Sequence, residues 1–375
     1  MKIYIDENIP YAREFFAEHG ELYFFSGRTV CAEQLRDADI LLVRSITQVN
    51  EALLHLNTCL KFVGTATIGT DHIDLDYLKS KQVSFSSAPG CNKVSVAEYI
   101  LSSLLVLAER QQFKLKDKSV AIVGAGNTGS ALHQRLNALG VRCKLYDPPL
   151  QLSADPRQFC SFDEVLNSDI ISLHVPKIIQ GEYPTWHLFD RSTLQKLNNK
   201  QILLNASRGE IIDNNALLSL AKKGLTPTLV LDVWENEPHI NRELLDYVDI
   251  TTPHIAGYSL EGKARGTEIL YQDFCQHLSL EKQYNVINFM PAPLINKVSI
   301  NGILDESLFK VLMHMIYDVR RDDALFRQRI DQTDGFDTMR RNYQERRELS
   351  TLQIDSVIEQ EQLLQALGLQ RDVNQ

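Results

Sequence analysis

The sequence has few cysteines, no surplus of basic charge and no long apolar run, and each absence closes off a class. Its six cysteines are scattered at 31, 59, 91, 143, 160 and 275 with no C-x-x-C pair. A disulfide framework or a zinc site is therefore not expected, and the thiols read as reduced. Acids outnumber Lys and Arg 48 to 39, a formal net charge of −9. A general nucleic-acid surface needs the opposite sign, so an anionic substrate must be drawn in by local arginines. No apolar stretch is long enough to span a bilayer, and the first residues, Met1-Lys2-Ile3-Tyr4-Ile5-Asp6-Glu7, turn acidic too soon for a signal peptide. The expectation is a cytoplasmic protein with no metal, no nucleic-acid partner and no membrane partner.

What is present is ordinary for a globular chain, 44% hydrophobic and 23% charged, and 375 residues suffice for two or three domains. Short apolar strands at Ile3–Ile5, Ile40–Val43, Phe62–Gly64 and Val83–Ser86 alternate with helical stretches as far as Ala88, the pattern of a small parallel α/β domain. A helix from Ser95 to Arg110, apolar along Val96, Tyr99, Ile100, Leu104 and Leu107, leads into a second such domain. Its strands are read at 119–123, 141–146, 170–173, 202–204, 229–233 and 248–251. From Met290 the character changes. Pro291-Ala292-Pro293 makes a stiff joint, Ser307–Tyr317 is amphipathic, and nine of the eleven Lys and Arg residues beyond Met290 are arginine. Arginine suits bidentate contact with phosphate or carboxylate, although pairing with the neighbouring acids is the competing reading.

The turn Gly124-Ala125-Gly126-Asn127-Thr128-Gly129 follows a buried strand and opens a helix that Gly140 closes. Gly124 permits the tight turn, Gly126 lets the backbone approach a pyrophosphate, and Gly129 lets the helix pack on the sheet. The N–H groups of Asn127 and Thr128 would face phosphates at the positive end of that helix. Asp147, closing the next strand, stands where an acid meets the adenosine ribose and repels a 2′-phosphate, which favours NAD over NADP. His174-Val175-Pro176, Asn205-Ala206-Ser207-Arg208 and Asp232 fall beyond the carboxyl ends of later strands and should surround the cofactor. The alternative is a glycine-rich turn in an α/β protein that binds no nucleotide.

Oxidising a 2-hydroxy acid needs a base, a hydride acceptor and a carboxylate clamp. His254 is the best base, since imidazole titrates near neutrality. Glu237 could accept its other N–H and support imidazolium, and Arg208 could hold the carboxylate through two parallel hydrogen bonds. Asp232 suits the nicotinamide amide better than proton transfer. Against this stands a loop histidine satisfied by backbone groups.

The chain resembles the D-isomer-specific 2-hydroxyacid dehydrogenase family through Val43-Arg44-Ser45, Val94-Ser95-Val96-Ala97-Glu98-Tyr99, the glycine turn, Asn205-Ala206-Ser207-Arg208-Gly209, Leu231-Asp232-Val233-Trp234 and Pro253-His254-Ile255-Ala256-Gly257. The family's catalytic trio falls on Arg208, Glu237 and His254. Segments 6–13, 64–72, 88–92, 254–266 and 317–323 narrow the likeness to a branch acting on a phosphorylated hydroxy acid. The resemblance implies NAD contacts that include Val175, Ala206, Ser207, Asp232 and Gly257, and substrate contacts at Ser45, Thr67 and Tyr258. Arg44, beside Ser45, is a further candidate for the phosphate. The implied architecture is α/β, with two parallel-sheet domains and a small C-terminal α+β domain. These are a substrate domain (1–93 with 258–289), a Rossmann-type NAD domain (94–257) and a C-terminal segment (290–375) that makes a homodimer. Two departures stand out: Thr65-Ala66-Thr67 replaces the glycine-rich substrate loop of many relatives, and Val175 offers no hydroxyl to the cofactor. A phosphoglycerate or hydroxypyruvate dehydrogenase, a non-catalytic NAD-sensing regulator and a purely structural α/β protein are the competing readings.

Overall fold

The computed structural model describes residues 1–356 and 360–372. It divides into two compact units, one of Met1–Asn92 with Ser259–Ala292 and one of Lys93–Tyr258 with Pro293–Gln375.

The first unit is built on a parallel sheet of β1 (Lys2–Asp6), β2 (Glu21–Phe25), β3 (Ile40–Val43), β4 (Phe62–Thr65) and β5 (Ser84–Ser86), in the order β2-β1-β3-β4-β5. Successive side chains on a strand point to opposite faces, and β3 shows the consequence. Ile40 and Leu42 pack with Phe15, Phe16 and the Leu270, Tyr271 and Phe274 face of the returning helix Leu260–His277. Leu41 and Val43 pack with Leu54, Val63 and Leu78 on the other side. Burial on both faces is why β3 reads as an unbroken apolar run. β2 escapes sequence reading because it is an edge strand with Tyr23 and Phe24 exposed, so its pattern does not alternate.

The second unit holds β6 (Ser119–Val123), β7 (Arg142–Tyr146), β8 (Ile170–Leu173), β9 (Ile202–Asn205), β10 (Thr228–Leu231) and β11 (Ile250–Thr251). All are parallel, in the order β11-β10-β9-β8-β6-β7. Because β6 lies between β7 and β8, the strand order reverses beside it, and ligands of open α/β sheets bind at that point, beyond the carboxyl ends. The glycine turn leaves β6 there.

Helix Lys93–Gln111 is buried on every side from Ser95 to Ala108, where the sequence suggests a single apolar face. The C-terminal segment supplies the second cover. Its helices Glu306–Ile316 and Val319–Arg329 bring Phe309, Leu312, Met313 and Val319 into one apolar cluster with Ile100, Leu104, Val120 and Leu132. Three further parallel strands, β12 (Lys297–Ile300), β13 (Gln353–Ser356) and β14 (Gln370–Arg371), add Ile300 and Ile354. Polar ties follow the packing. Ser102 Oγ donates to the Tyr317 carbonyl and accepts from Val319 N, both at 3.1 Å. At the sheet edge Thr251 N donates to Asp323 at 2.9 Å, which satisfies a strand edge that would otherwise invite another chain. Buried Arg346 lies 3.5 Å above the Tyr317 ring and 4.0 Å from Glu98. Burial, with Glu348 adding repulsion, pushes the Glu98 carboxyl up to about 8. No helix among the described residues is long and apolar enough to cross a membrane.

Candidate active site

Each glycine of the turn has its own reason to be glycine. Gly124 has φ +92°, and a Cβ there would lie 2.7 Å from the His174 carbonyl. A Cβ at Gly129 would lie 2.0 Å from the Gly124 oxygen, since the helix Asn127–Ala138 crosses close to the strand it follows. A Cβ at Gly126 would meet nothing within 4 Å, so this backbone faces open space, as the approach of a pyrophosphate requires. Asp147 Oδ2 accepts from Ala125 N at 2.8 Å and Oδ1 from Leu150 N at 3.1 Å, joining the end of β7 to the turn. Each oxygen keeps a lone pair for a ribose hydroxyl. Arg157, absent from the sequence reading, braces the turn through the Ala125 carbonyl at 3.0 Å and Ser130 Oγ at 2.8 Å. Asp155 holds that guanidinium, which brings its own carboxyl down to about 2. These residues fit a dinucleotide.

Val175 seals the turn from the end of β8, its Cγ1 2.9 Å from where a Cβ at Gly124 would stand. Beside it His174 is half-buried, with Nε2 on Ser172 Oγ at 2.8 Å and no partner for Nδ1 among the described residues. Burial alone lowers its pKa to about 4, so the ring is neutral.

The acid–base pair forms further across the sheet, after β10 and β11. His254 Nδ1 and Glu237 Oε2 are 2.7 Å apart. Glu237 Oε1 accepts from Trp234 N at 2.9 Å, so the carboxylate is held at both oxygens. Burial raises the Glu237 carboxyl, but the charge and hydrogen bond of His254, the Trp234 amide and the Arg340 guanidinium outweigh it and leave it below its ordinary value. The His254 loop is held by Asp232, which accepts from Thr252 Oγ1 at 2.6 Å, Ile255 N at 2.8 Å and Ala256 N at 3.0 Å. His254 itself sits at φ +57°, a conformation this anchoring sustains. Asp232 is thus first a support for the loop, with one lone pair of Oδ2 remaining for a ligand. Tyr99 OH, on the helix Lys93–Gln111, braces Thr252 Oγ1 at 2.8 Å.

Arg208 follows β9 and enters the same neighbourhood through Gly209, where a Cβ would be 2.0 Å from the Trp234 carbonyl. The Arg208 Nη1 donates to the Ser207 carbonyl at 2.8 Å, and Ala206 and Ser207 are half-buried at the same strand end. Behind the Glu237 loop, His187, Asp213 and Glu235 place ligand atoms within 4.8 Å of one another. Each already has a structural partner. Glu235 accepts from His187 at 2.7 Å and Asn214 N at 2.8 Å, and Asp213 caps a helix through Ala216 N at 2.8 Å. The group anchors the loop that carries Glu237.

Tyr258, following half-buried Gly257, packs edge-on against Tyr343 with ring centroids 5.8 Å apart, and the Arg340 guanidinium lies 5.8 Å from its ring centre. Arg346 Nη1 donates to the Ala256 carbonyl at 3.1 Å. Sequence reasoning did not single out Arg340, Arg346 or Tyr343. In the first unit, Arg44 and Ser45 follow β3 and Thr67 follows its neighbour β4, so all three stand at adjacent carboxyl ends. Thr67 Oγ1 is 2.8 Å from Thr65 Oγ1, which reaches His72 Nε2 at 2.9 Å.

Residues 105–256 match the family described as D-isomer specific 2-hydroxyacid dehydrogenase, NAD binding domain. Residues 289–368 match a domain of unknown function, DUF3410. A protein of Psychromonas ingrahamii named erythronate-4-phosphate dehydrogenase is 69% identical over 373 residues, covering 100% of this chain and 97% of that protein. One of the same name from Tolumonas auensis is 55% identical and covers 95% of each. The chain belongs to the erythronate-4-phosphate dehydrogenase family. Solved structures share its fold at lower identity. A D-lactate dehydrogenase from Aquifex aeolicus, complexed with NAD and lactic acid, aligns with TM-score 0.59 at 24% identity over 74% of this chain and 96% of that one. The NAD+-bound 3-phosphoglycerate dehydrogenase of Entamoeba histolytica aligns with TM-score 0.62 at 24% identity over 74% and 95%. The chain is an NAD-dependent dehydrogenase, and NAD is its cofactor.

Proposed function

We propose that the chain oxidises 4-phospho-D-erythronate at C2 to (R)-3-hydroxy-2-oxo-4-phosphobutanoate, a step of pyridoxine 5′-phosphate (vitamin B6) biosynthesis. The reading rests first on the 2.7 Å contact between His254 and Glu237 beside a dinucleotide turn, in a chain whose full-length relatives carry that name. With Nδ1–H donated to Glu237, the acceptor lone pair of His254 is on Nε2, and that atom takes the C2 hydroxyl proton. Glu237 stabilises the imidazolium that results. Bound NAD supplies the acceptor for the C2 hydride. Arg208 holds the substrate carboxylate by a two-pronged contact and polarises the C2 oxygen.

Gly124, Gly126, Asn127, Thr128, Asp147, Val175, Ala206, Ser207, Asp232 and Gly257 are the proposed cofactor contacts, and Ser45, Thr67, Tyr258 and Arg44 those of the substrate. The protein is further proposed to act in the cytoplasm, a reading supported by six cysteines that form no disulfide, and as a homodimer. On helix Glu306–Ile316, Val311 is 58% and Met315 37% exposed one turn apart, with Ile303 70% exposed just before them. That apolar face suits a second copy. NADH formation with 4-phosphoerythronate, 3-phosphoglycerate and glycerate side by side tests the substrate. A clear preference for 4-phosphoerythronate is expected, and better turnover of either competitor would overturn the assignment.

A further inference from the structure

Most arginines of the C-terminal segment are engaged with their own neighbours. Arg320 pairs with Asp318 at 2.6 Å, Arg327 with Asp323 at 3.0 Å and Arg371 with Glu361 at 3.4 Å. Arg346 is buried on the carbonyls of Ser95 and Ala256. Arg340, in the last turn of helix Gly335–Arg341, turns toward the catalytic loops instead. Its guanidinium lies 5.8 Å from the centre of the Tyr258 ring and 5.9 Å from that of Phe336. The Glu237 carboxylate is close enough that each group's charge favours the other's ionised form. Its Nε is buried and has no hydrogen-bond partner among the described residues.

The Tyr258 side chain also hydrogen-bonds the guanidinium, but the two aromatic faces that attract the cation offer no directed acceptor to its buried Nε. A buried donor left unmatched is costly. An oxyanion with several acceptor oxygens would relieve it, and a guanidinium grips such a group with two parallel bonds. Arg208 already serves the substrate carboxylate in the reading above. The remaining anionic group of a phosphorylated hydroxy acid lies at the end of the molecule away from the reacting carbon, and Tyr258 stands next to Arg340.

We propose that Arg340 is a specificity-determining residue that binds the substrate phosphate alongside Tyr258, which makes the C-terminal segment part of substrate recognition. The inference rests on the reading of the substrate given above. It also assigns that segment a role in the reaction beyond assembly and cover for the helix Lys93–Gln111.

Arg340→Gln and Arg340→Lys, each in the full chain with NAD bound, provide the test, with NAD affinity by fluorescence as the control for folding. With 4-phosphoerythronate the Gln variant should show KM raised about 30-fold or more, as for loss of one partner of a desolvated charge pair, and kcat within about threefold. Its kcat/KM for erythronate, which lacks the phosphate, should fall by no more than about threefold, the share carried by the Arg340 charge beside Glu237. The Lys variant should recover part of the loss, since it keeps the charge without the fork. An unchanged KM for the phosphorylated acid would overturn the proposal. So would equal losses on both substrates with the pH profile displaced, because Arg340 would then act only through Glu237. If the unmodified protein fails to oxidise the phosphorylated acid, the substrate reading falls first and this proposal with it.

Discussion

Glu237→Gln removes a charge while keeping the shape of the side chain, which makes it the sharpest probe of the His254 pair. Two opposite unit charges about 4 Å apart attract by about 1 kcal/mol in water and about 4 kcal/mol in a protein-surface dielectric. Here the groups are in contact at 2.7 Å with side chains 31% and 18% exposed, between those limits. About 2 kcal/mol is a reasonable figure. The sign follows from which form is charged. Loss of the carboxylate removes the support for the imidazolium that forms as the proton arrives, so the acidic limb of kcat/KM for oxidation moves to lower pH. The plateau should fall as well, about 5- to 30-fold, because the partial imidazolium of the transition state loses the same support. In the reverse direction His254 must donate, so the alkaline limb of keto-acid reduction should move the same way. The assay is NADH formation and consumption from pH 5 to pH 10, with NAD affinity measured beside it. An acidic limb that stays in place or moves upward would refute the pairing, whatever happens to the plateau.

The two glycines of the turn should separate folding from binding. Gly129→Ala puts a Cβ 2.0 Å from the Gly124 oxygen and should lower the melting temperature, whereas Gly126→Ala meets nothing and should melt normally while binding NAD at least tenfold more weakly; normal NAD affinity in the latter would exclude close approach at that backbone. Asp147→Ala should lower the NAD-to-NADP ratio of kcat/KM at least tenfold and weaken NAD itself, because Ala125 N and Leu150 N lose their acceptor; an unaltered ratio would show that discrimination lies elsewhere. Val311→Glu with Met315→Glu should convert a dimer to a monomer in light scattering without changing NAD affinity, and a persistent dimer would place the interface on another face.

How much of this was legible in the sequence depended on whether a residue's neighbours are local. Strands β3, β6 and β8 were read with their observed bounds because both faces of each are covered, which writes an uninterrupted apolar run into the chain. Strand β2 was not, because an edge strand with an exposed face carries no such run. Helix Lys93–Gln111 shows the limit from the other side. Its apolar stripe was visible, but burial of Ser102, Ser103 and Glu98 opposite it was not, since the cover comes from residues two hundred positions away. Cutting the chain near Pro291 would uncover that face and strip Phe309, Leu312 and Val319 from the shared core, so truncation cannot report on assembly alone. Surface substitutions can.

The candidate site divides the same way. Gly124, Gly126, Gly129 and the residues of the Arg208, Glu237 and His254 loops follow directly on strands of one parallel sheet. Once the strands are recognised, their carboxyl ends bring these residues to one edge, and short-range motifs suffice to find them. What positions them is not written nearby. Asp232 reads as a cofactor ligand because it ends a strand, yet its carboxylate is first occupied by the amides of Ile255 and Ala256. Arg157 reaches the glycine turn from thirty residues downstream, and Arg346 reaches the Ala256 carbonyl from ninety. In the sequence Arg340 is one arginine among nine beyond Met290, with nothing local to set it apart. Only the fold turns it toward Tyr258 and Glu237 and leaves its Nε without an acceptor. The residues proposed for proton transfer are therefore encoded by local pattern. The contacts that hold them, and the placement of Arg340 beside Tyr258, are encoded by tertiary packing.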